Sequence, residues 1–258
     1  MTEFPPGLIL IIGGIFVPLF HGTYRKIYML ALPIVGFWGL TQISEGTYFS
    51  TTLFGLILHP VRVDALSLIF GYIFYIAAGI SIIYALHLKD TLQQIAGLIY
   101  AGAAIGGVFA GDLITLFVYW EGTAIASVFL IWASRTEKSY HAGLRYLIIQ
   151  VGSGVFLLAG AIIYFKTTGS IKFDKMIALE LGPFLILMAF GIKAAFPLLH
   201  NWLQDAYPEA TVTGTVFLSA FTTKLAIYAL ARGFPGTEML VWVGATMTAF
   251  QMMRAWSM

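Results

Sequence analysis

Nine apolar runs, each close to the roughly 20 residues that cross a bilayer as a helix, leave this sequence little choice of fold. They lie near residues 5–20, 27–43, 65–88, 92–110, 112–132, 141–165, 181–196, 211–232 and 237–256. Polar stretches separate them at 21–26, 87–90, 134–140, 166–180 and 232–238. The chain is 59% hydrophobic and 10% charged over 258 residues, against about 25% charged in an ordinary soluble domain. A soluble core of that length could not hide so much apolar surface, so lipid must solvate part of it. The expected fold class is an all-α polytopic membrane protein of about nine helices. The first run follows Met1-Thr2-Glu3-Phe4-Pro5-Pro6, which lacks the positive region of a signal peptide, and is read as the first membrane helix.

One connection reads differently. Residues 45–63 carry Thr47, Tyr48, Phe49, Thr51, Thr52, Phe54, Ile57 and Val61, a β-branched and aromatic set that predicts a small β-hairpin outside the lipid. The stretch 172–180 is predicted as a short interfacial helix. Lysines and arginines divide almost evenly between the two sides, with a slight preference for an external N-terminus. The absence of cysteine excludes disulfides and thiolate metal sites, and His141, Asp205 and Glu209 are too isolated to be metal ligands. A net charge of +2 without a basic tract gives no sign of nucleic-acid binding. Small residues at 101–107 and 152–160 have the small-xxx-small spacing of close helix packing.

The informative residues are charges that membrane helices normally exclude, at about 2.5–3.5 kcal/mol each on insertion scales. Glu121 lies mid-run, too deep for a short carboxylate to reach water. Lys193 precedes Pro197, whose missing N–H deprives the residue 193 carbonyl of its helical donor, so the helix should break there. Broken membrane helices are tolerated where they line a cavity or are buried in protein. Lys224 is alone in its run until Arg232. Burial disfavours a charged lysine and a nearby carboxylate favours it, so such a pair can take up and release protons as the partner changes state. A relay from Glu121 to Lys193 and through water to Lys224 is the expected chemistry. His200 and Asp205 flank the break as a candidate point of proton access, whereas Asp112 and Arg145 are read as capping or interfacial residues.

The block Gly191-Ile192-Lys193-Ala194-Ala195-Phe196-Pro197-Leu198-Leu199-His200-Asn201-Trp202-Leu203-Gln204-Asp205-Ala206-Tyr207-Pro208-Glu209-Ala210 resembles the signature of the antiporter-like subunits of respiratory complex I and of Mrp cation/proton antiporters. Thr222-Thr223-Lys224-Leu225-Ala226-Ile227-Tyr228 is similar to the lysine helix that follows it in that family. The segment from Gly111-Asp112-Leu113 to Tyr119-Trp120-Glu121 resembles its glutamate helix. The likeness runs over about residues 60–240, with the D-type member of the Mrp antiporters the nearest in pattern. It implies that Glu121 and Lys193 form the charge pair of one half-channel and that Lys224 is the next site. Two departures stand out: Gln204 replaces a usual proline, and Thr211-Val212-Thr213 replaces Pro-Thr-Pro. Family members carry two inverted repeats, each with a broken helix, whereas this sequence stops near its ninth run. The resemblance therefore implies either a partner half on another polypeptide or a truncated product.

These expectations divide the chain into N-terminal helices and hairpin (1–64), a half-channel region (65–232) and a partial last helix (233–258). The leading expectation is a proton-translocating subunit in the plasma (inner) membrane of a prokaryote. Its partners would be other membrane subunits of an Mrp-type or complex I-type assembly, lipid, protons and, in the antiporter case, sodium. No flavin, iron–sulfur or nicotinamide motif is present, so no cofactor is expected and redox catalysis would belong to partners. The alternative is a non-transporting structural or truncated subunit whose buried charges only fix helix packing.

Overall fold

A computed structural model describes residues 4–53 and 55–255, with side chains described up to residue 249. Phe54 of the expected hairpin lies outside the described residues, as do residues 1–3 and 256–258. The nine expected helices are present: α1 (Pro6–Phe16, prolonged by a 3₁₀ turn at Val17–Leu19), α2 (Gly22–Thr41), α3 (Ala65–Ala85), α4 (Thr91–Phe109), α5 (Leu113–Trp132), α6 (Glu137–Thr168), α7 (Leu181–Lys193), α9 (Val212–Gly233) and α10 (Glu238–Ala255). A further six-residue helix, α8 (Asn201–Ala206), follows the break. Among the described residues, α3, α4, α5, α6 and α9 are long and apolar enough to cross a membrane, while α1 with its 3₁₀ turn and α7 are shorter apolar pieces. The protein is a multi-pass membrane protein.

Helix α4 runs through the middle of the bundle and packs against α1, α3, α5 and α9. Its small residues make that position possible. A Cβ at Gly102 would meet the Gly7 carbonyl oxygen at 2.7 Å, so α1 and α4 touch backbone to backbone. The second small-residue stretch does the same for α6 and α7, where a Cβ at Gly160 would lie 2.7 Å from the Gly182 carbonyl oxygen and 2.9 Å from the Ile186 nitrogen. Gly160→Val should therefore push α7 away and cost about 1–3 kcal/mol by overpacking, seen as a lower melting temperature of the purified chain in detergent. An unchanged melting temperature would mean that the two helices are free to separate.

Residues 45–63 fold as one antiparallel hairpin in two parts. Strand β1 (Gly46–Tyr48) pairs with β4 (Val61–Val63), and β2 (Thr51–Leu53) with β3 (Leu56–Leu58). Both parts share one register, Gly46 facing Val63 and Thr51 facing Leu58. The interruption falls where Pro60, which cannot donate to a ladder, stands opposite Phe49, held at φ 58°.

The stretch 172–180 is not helical, contrary to expectation. Its backbone N–H groups are used elsewhere: Phe173 donates to Gly111 (3.1 Å) and Met176 to Gly233 (2.8 Å), while the Ile171 carbonyl accepts from Leu113 (2.9 Å). Ile171, Phe173 and Met176 are buried as the segment plugs the gap between α5 and α9. Ion pairs tie down this end of the bundle, Arg62 to Asp174 at 2.7 Å and Arg232 to Asp64 at 2.6 Å. At the other end Arg135 pairs with Asp90 at 3.0 Å, joining the α3–α4 and α5–α6 connections.

Candidate functional site

Helix α5 begins at Asp112, a buried cap as expected, whose carboxylate accepts from Thr115 N (2.7 Å), Thr115 Oγ1 (2.7 Å) and His59 N (2.7 Å). Fixing that start sets which face of α5 looks inward. Trp120 and Thr123 are buried on that face, and Glu121 lies between them in sequence, partly exposed.

Helix α7 ends at Lys193, as Pro197 requires, but the stop is built one step earlier. The N–H of Phe196 donates to Gly191 O (2.9 Å) and that of Ala195 to Ile192 O (3.1 Å), the paired bonds of a Schellman cap. The residue that must then take a left-handed conformation is Ala195, at φ 61°. Leu198 also stands at φ 71°, and Leu199 N donates to Phe196 O (2.8 Å), a tight turn with proline at its second position. Two side-chain-bearing residues held at positive φ within four positions is stored strain, which native structures keep mainly at functional sites. Trp202 Nε1 donates to Ile192 O (2.9 Å) and pins α8 under the end of α7.

This stop leaves Lys193 fully buried and aimed at α5. Its Nζ donates to the Trp120 carbonyl oxygen (2.9 Å) and to Thr123 Oγ1 (2.8 Å), and lies 4.3 Å from the centre of the Trp120 ring. Thr123 in turn donates to the same Trp120 carbonyl (2.7 Å). Among the described residues no carboxylate lies within ion-pair distance of Lys193. Glu121 interacts with it only through space, so the two expected partners share a site without a direct ion pair. The Glu121 Oε1 atom is buried and has no hydrogen-bond partner. It presses on Gly154 of α6, where any Cβ would overlap it.

Neutral polar residues, inconspicuous in the sequence, surround this pair. Gln150 is completely buried with both its amide oxygen and nitrogen unpartnered, and it sits one turn before Gly154 on the same face of α6. Trp120 Nε1 donates to Ser153 Oγ (2.8 Å). One further turn back, Tyr146 shares a hydrogen bond with Ser127 (2.8 Å) and also contacts Thr222. The hydroxyls of Thr222 and Tyr100 are 2.5 Å apart. The available signal was hydroxyl and amide side chains recurring every three or four positions inside apolar runs.

The remaining expected residues lie apart from this centre. Lys224 is on an exposed face of α9, its Nζ donating to Ser219 O (2.5 Å), and is not brought against Lys193. Asp205 is clamped by Arg145 through two bonds, Nε to Oδ2 at 2.7 Å and Nη2 to Oδ1 at 2.8 Å. Arg145 is therefore an anchor holding α8 to α6 rather than a snorkelling side chain. His200 stands half-exposed at the start of α8. No cluster of three metal-ligating side chains occurs among the described residues.

The family described as "NADH:quinone oxidoreductase/Mrp antiporter, TM" matches residues 110–258. The A1 subunit of a Na(+)/H(+) antiporter from Staphylococcus aureus is 26% identical over 256 aligned residues, covering 87% of this chain and 32% of the relative. The chain thus spans about a third of the length of the curated relatives it matches. A chain of respiratory complex I from Thermus thermophilus superposes with a TM-score of 0.77 at 19% identity, over 92% of this chain and 55% of the other. A chain of the Mrp complex from Dietzia sp. DQ12-45-1b does so with a TM-score of 0.77 at 23% identity, over 87% and 27%. These relatives carry the fold of antiporter-like membrane subunits. The Staphylococcus relative is of the A type, so the D-like pattern gains no support from it.

Proposed function

The chain belongs to the NADH:quinone oxidoreductase/Mrp antiporter transmembrane family, and from that premise we propose that it is a proton-translocating subunit of a multisubunit complex in a prokaryotic plasma membrane. The observation that carries the reading is a fully buried ammonium, Lys193, at a strained helix stop, held by neutral acceptors beside an unpartnered carboxylate oxygen. A proton-carrying lysine must be able to lose its charge in place. Acceptors that are neutral, with the carboxylate close but not bonded, leave both charge states within reach.

In this reading residues 65–232 are the half-channel. Gln150 orients water that delivers protons to Glu121, and Glu121 switches Lys193. The hydroxyls of Tyr146 and Thr222 link that centre to α9, where Lys224 passes protons to whatever packs on the exposed face. Arg145–Asp205 and His200 mark the access side. The partners would be other membrane subunits of an Mrp-type or complex I-type assembly.

A second reading is favoured by one observation: Lys224 lies on an open face, so a relay confined to this chain ends at its surface. The buried charges would then serve packing alone. Gly154→Ala separates the two readings, because it displaces the flexible end of Glu121 without touching the bonds of Lys193. Misplacing a reacting group by about 1 Å can cost up to about 100-fold. Proton flux of the native assembly in proteoliposomes should fall by about tenfold or more while the melting temperature holds. Equal flux in Gly154→Ala and the parent would favour the packing role.

A further inference from the structure

At the end of the bundle where α1 meets α2 and α3 meets α4, a cavity of about 370 Å³ opens between the two connections. It is within the usual size range of small-ligand pockets, about 300–1,000 Å³. His21, Arg25, Lys26, His87 and Lys89 line it together with Gln94, and none of its lining residues is acidic. Among the described residues none of these five basic side chains is within ion-pair distance of a carboxylate. The nearest acid in sequence, Asp90, is taken by Arg135 (3.0 Å) and by capping α4 through Leu92 N (3.0 Å). Arg25, Lys26 and Lys89 thus present positive charge to a cavity whose lining holds no carboxylate, a one-sign field that attracts an anion.

The cluster is also held in place. Arg25 donates from Nε to Phe20 O (2.8 Å) and from Nη1 to Thr91 Oγ1 (2.8 Å) and Gln94 Oε1 (3.5 Å). Gln94 is itself fixed by Nε2 donating to Leu88 O (3.0 Å). Nη2 of Arg25 has no hydrogen bond to the described residues. Helix α2 starts at the same cavity, and its first turn has no side-chain cap, so its N–H groups keep their partial positive charge toward the opening.

We propose that this pocket binds the phosphate headgroup of an anionic membrane phospholipid. Membrane placement argues for a lipid over a free anion. The cavity lies at the ends of the membrane-spanning α3 and α4, and the adjoining turns present Leu19, Tyr24, Ile27 and Ile83 with relative exposures of 71%, 78%, 59% and 60%. Those side chains offer an apolar wall for acyl chains below a basic seat for phosphate. Basic pockets between membrane helices take headgroups in this way.

The test uses the full purified chain, delipidated in neutral detergent and titrated with phosphatidylglycerol or with phosphatidylcholine of the same acyl chains, bound lipid being counted by native mass spectrometry. Phosphatidylglycerol should bind more tightly than phosphatidylcholine. A Lys26→Ala/Lys89→Ala variant, changed at two exposed residues that take no part in the anchoring bonds, should lose about 25-fold in phosphatidylglycerol affinity, about fivefold for each lysine. Its phosphatidylcholine binding and melting temperature should not move. Equal affinity for the two lipids, or an unchanged affinity in the variant, overturns the proposal. Displacement of phosphatidylglycerol by inorganic phosphate alone would give the pocket to a free anion and overturn it as well.

Discussion

Replacing Lys193 with Cys is expected to lower proton movement by at least about 100-fold, the low end of what a positioned proton-transfer group contributes. The Lys193 ammonium makes two hydrogen bonds, both to neutral groups. Its acceptors are the Trp120 carbonyl and Thr123 Oγ1, which are already bonded to each other at 2.7 Å, so neither should be left bare by loss of the lysine. No carboxylate loses a direct ion-pair partner, because none lies within ion-pair distance of Lys193 among the described residues. The usual collapse on breaking a buried ion pair, about 3–5 kcal/mol, is therefore not expected. The variant should assemble, and its defect should appear in flux. Gel filtration of the native assembly and dye-reported acidification of proteoliposomes measure the two separately. A variant that fails to assemble would show that Lys193 holds helices together.

Glu121→Gln should cut the flux by about 100-fold and leave the melting temperature unchanged or slightly higher. The amide keeps the size and shape of the carboxyl that packs on Gly154, so the α5–α6 contact survives. It also removes the chance of a charge on an oxygen that is buried and unpartnered, which relieves a cost the folded chain otherwise bears. Loss of rate without loss of stability is the pattern of a group retained for function. A drop in both would assign Glu121 to packing. Flux and thermal melting on one preparation decide between them.

Much of the fold was legible because a bilayer enforces a length. Runs of about 20 apolar residues have one common solution, and the helices fall where the runs are, with the spacing of glycines at 102 and 160 marking the backbone contacts. The break after Lys193 was legible from Pro197. Its construction was not, because nothing in the letters Ala195 or Leu198 announces a positive φ; the surrounding contacts impose it. The loop at 172–180 reads as helical in sequence but is not, since its N–H groups find partners far away, at Gly111 and Gly233.

The site divides in the same way. Glu121 and Lys193 stood out because charge is rare in an apolar run. Thr123, Gln150 and Tyr146 did not, since neutral polar residues carry little insertion cost and acquire meaning only when two helices face each other. The direct Glu121–Lys193 pair implied by resemblance gives way to a lysine bound by a carbonyl and a hydroxyl. The exposure of Lys224 depends on what packs against α9, which a single chain does not encode.

If an ammonium at position 193 carries the proton, restoring an amine to a thiol placed there should restore flux. The chain has no cysteine, so Lys193→Cys places a single thiol that bromoethylamine converts to an aminoethyl thioether, an amine almost the length of lysine. Proton flux would be measured in proteoliposomes before and after that reaction, with intact mass confirming one added aminoethyl group. The thiol form should be nearly silent, and flux should return on aminoethylation. Flux equal to the parent in the unmodified Cys variant would contradict a proton-carrying ammonium.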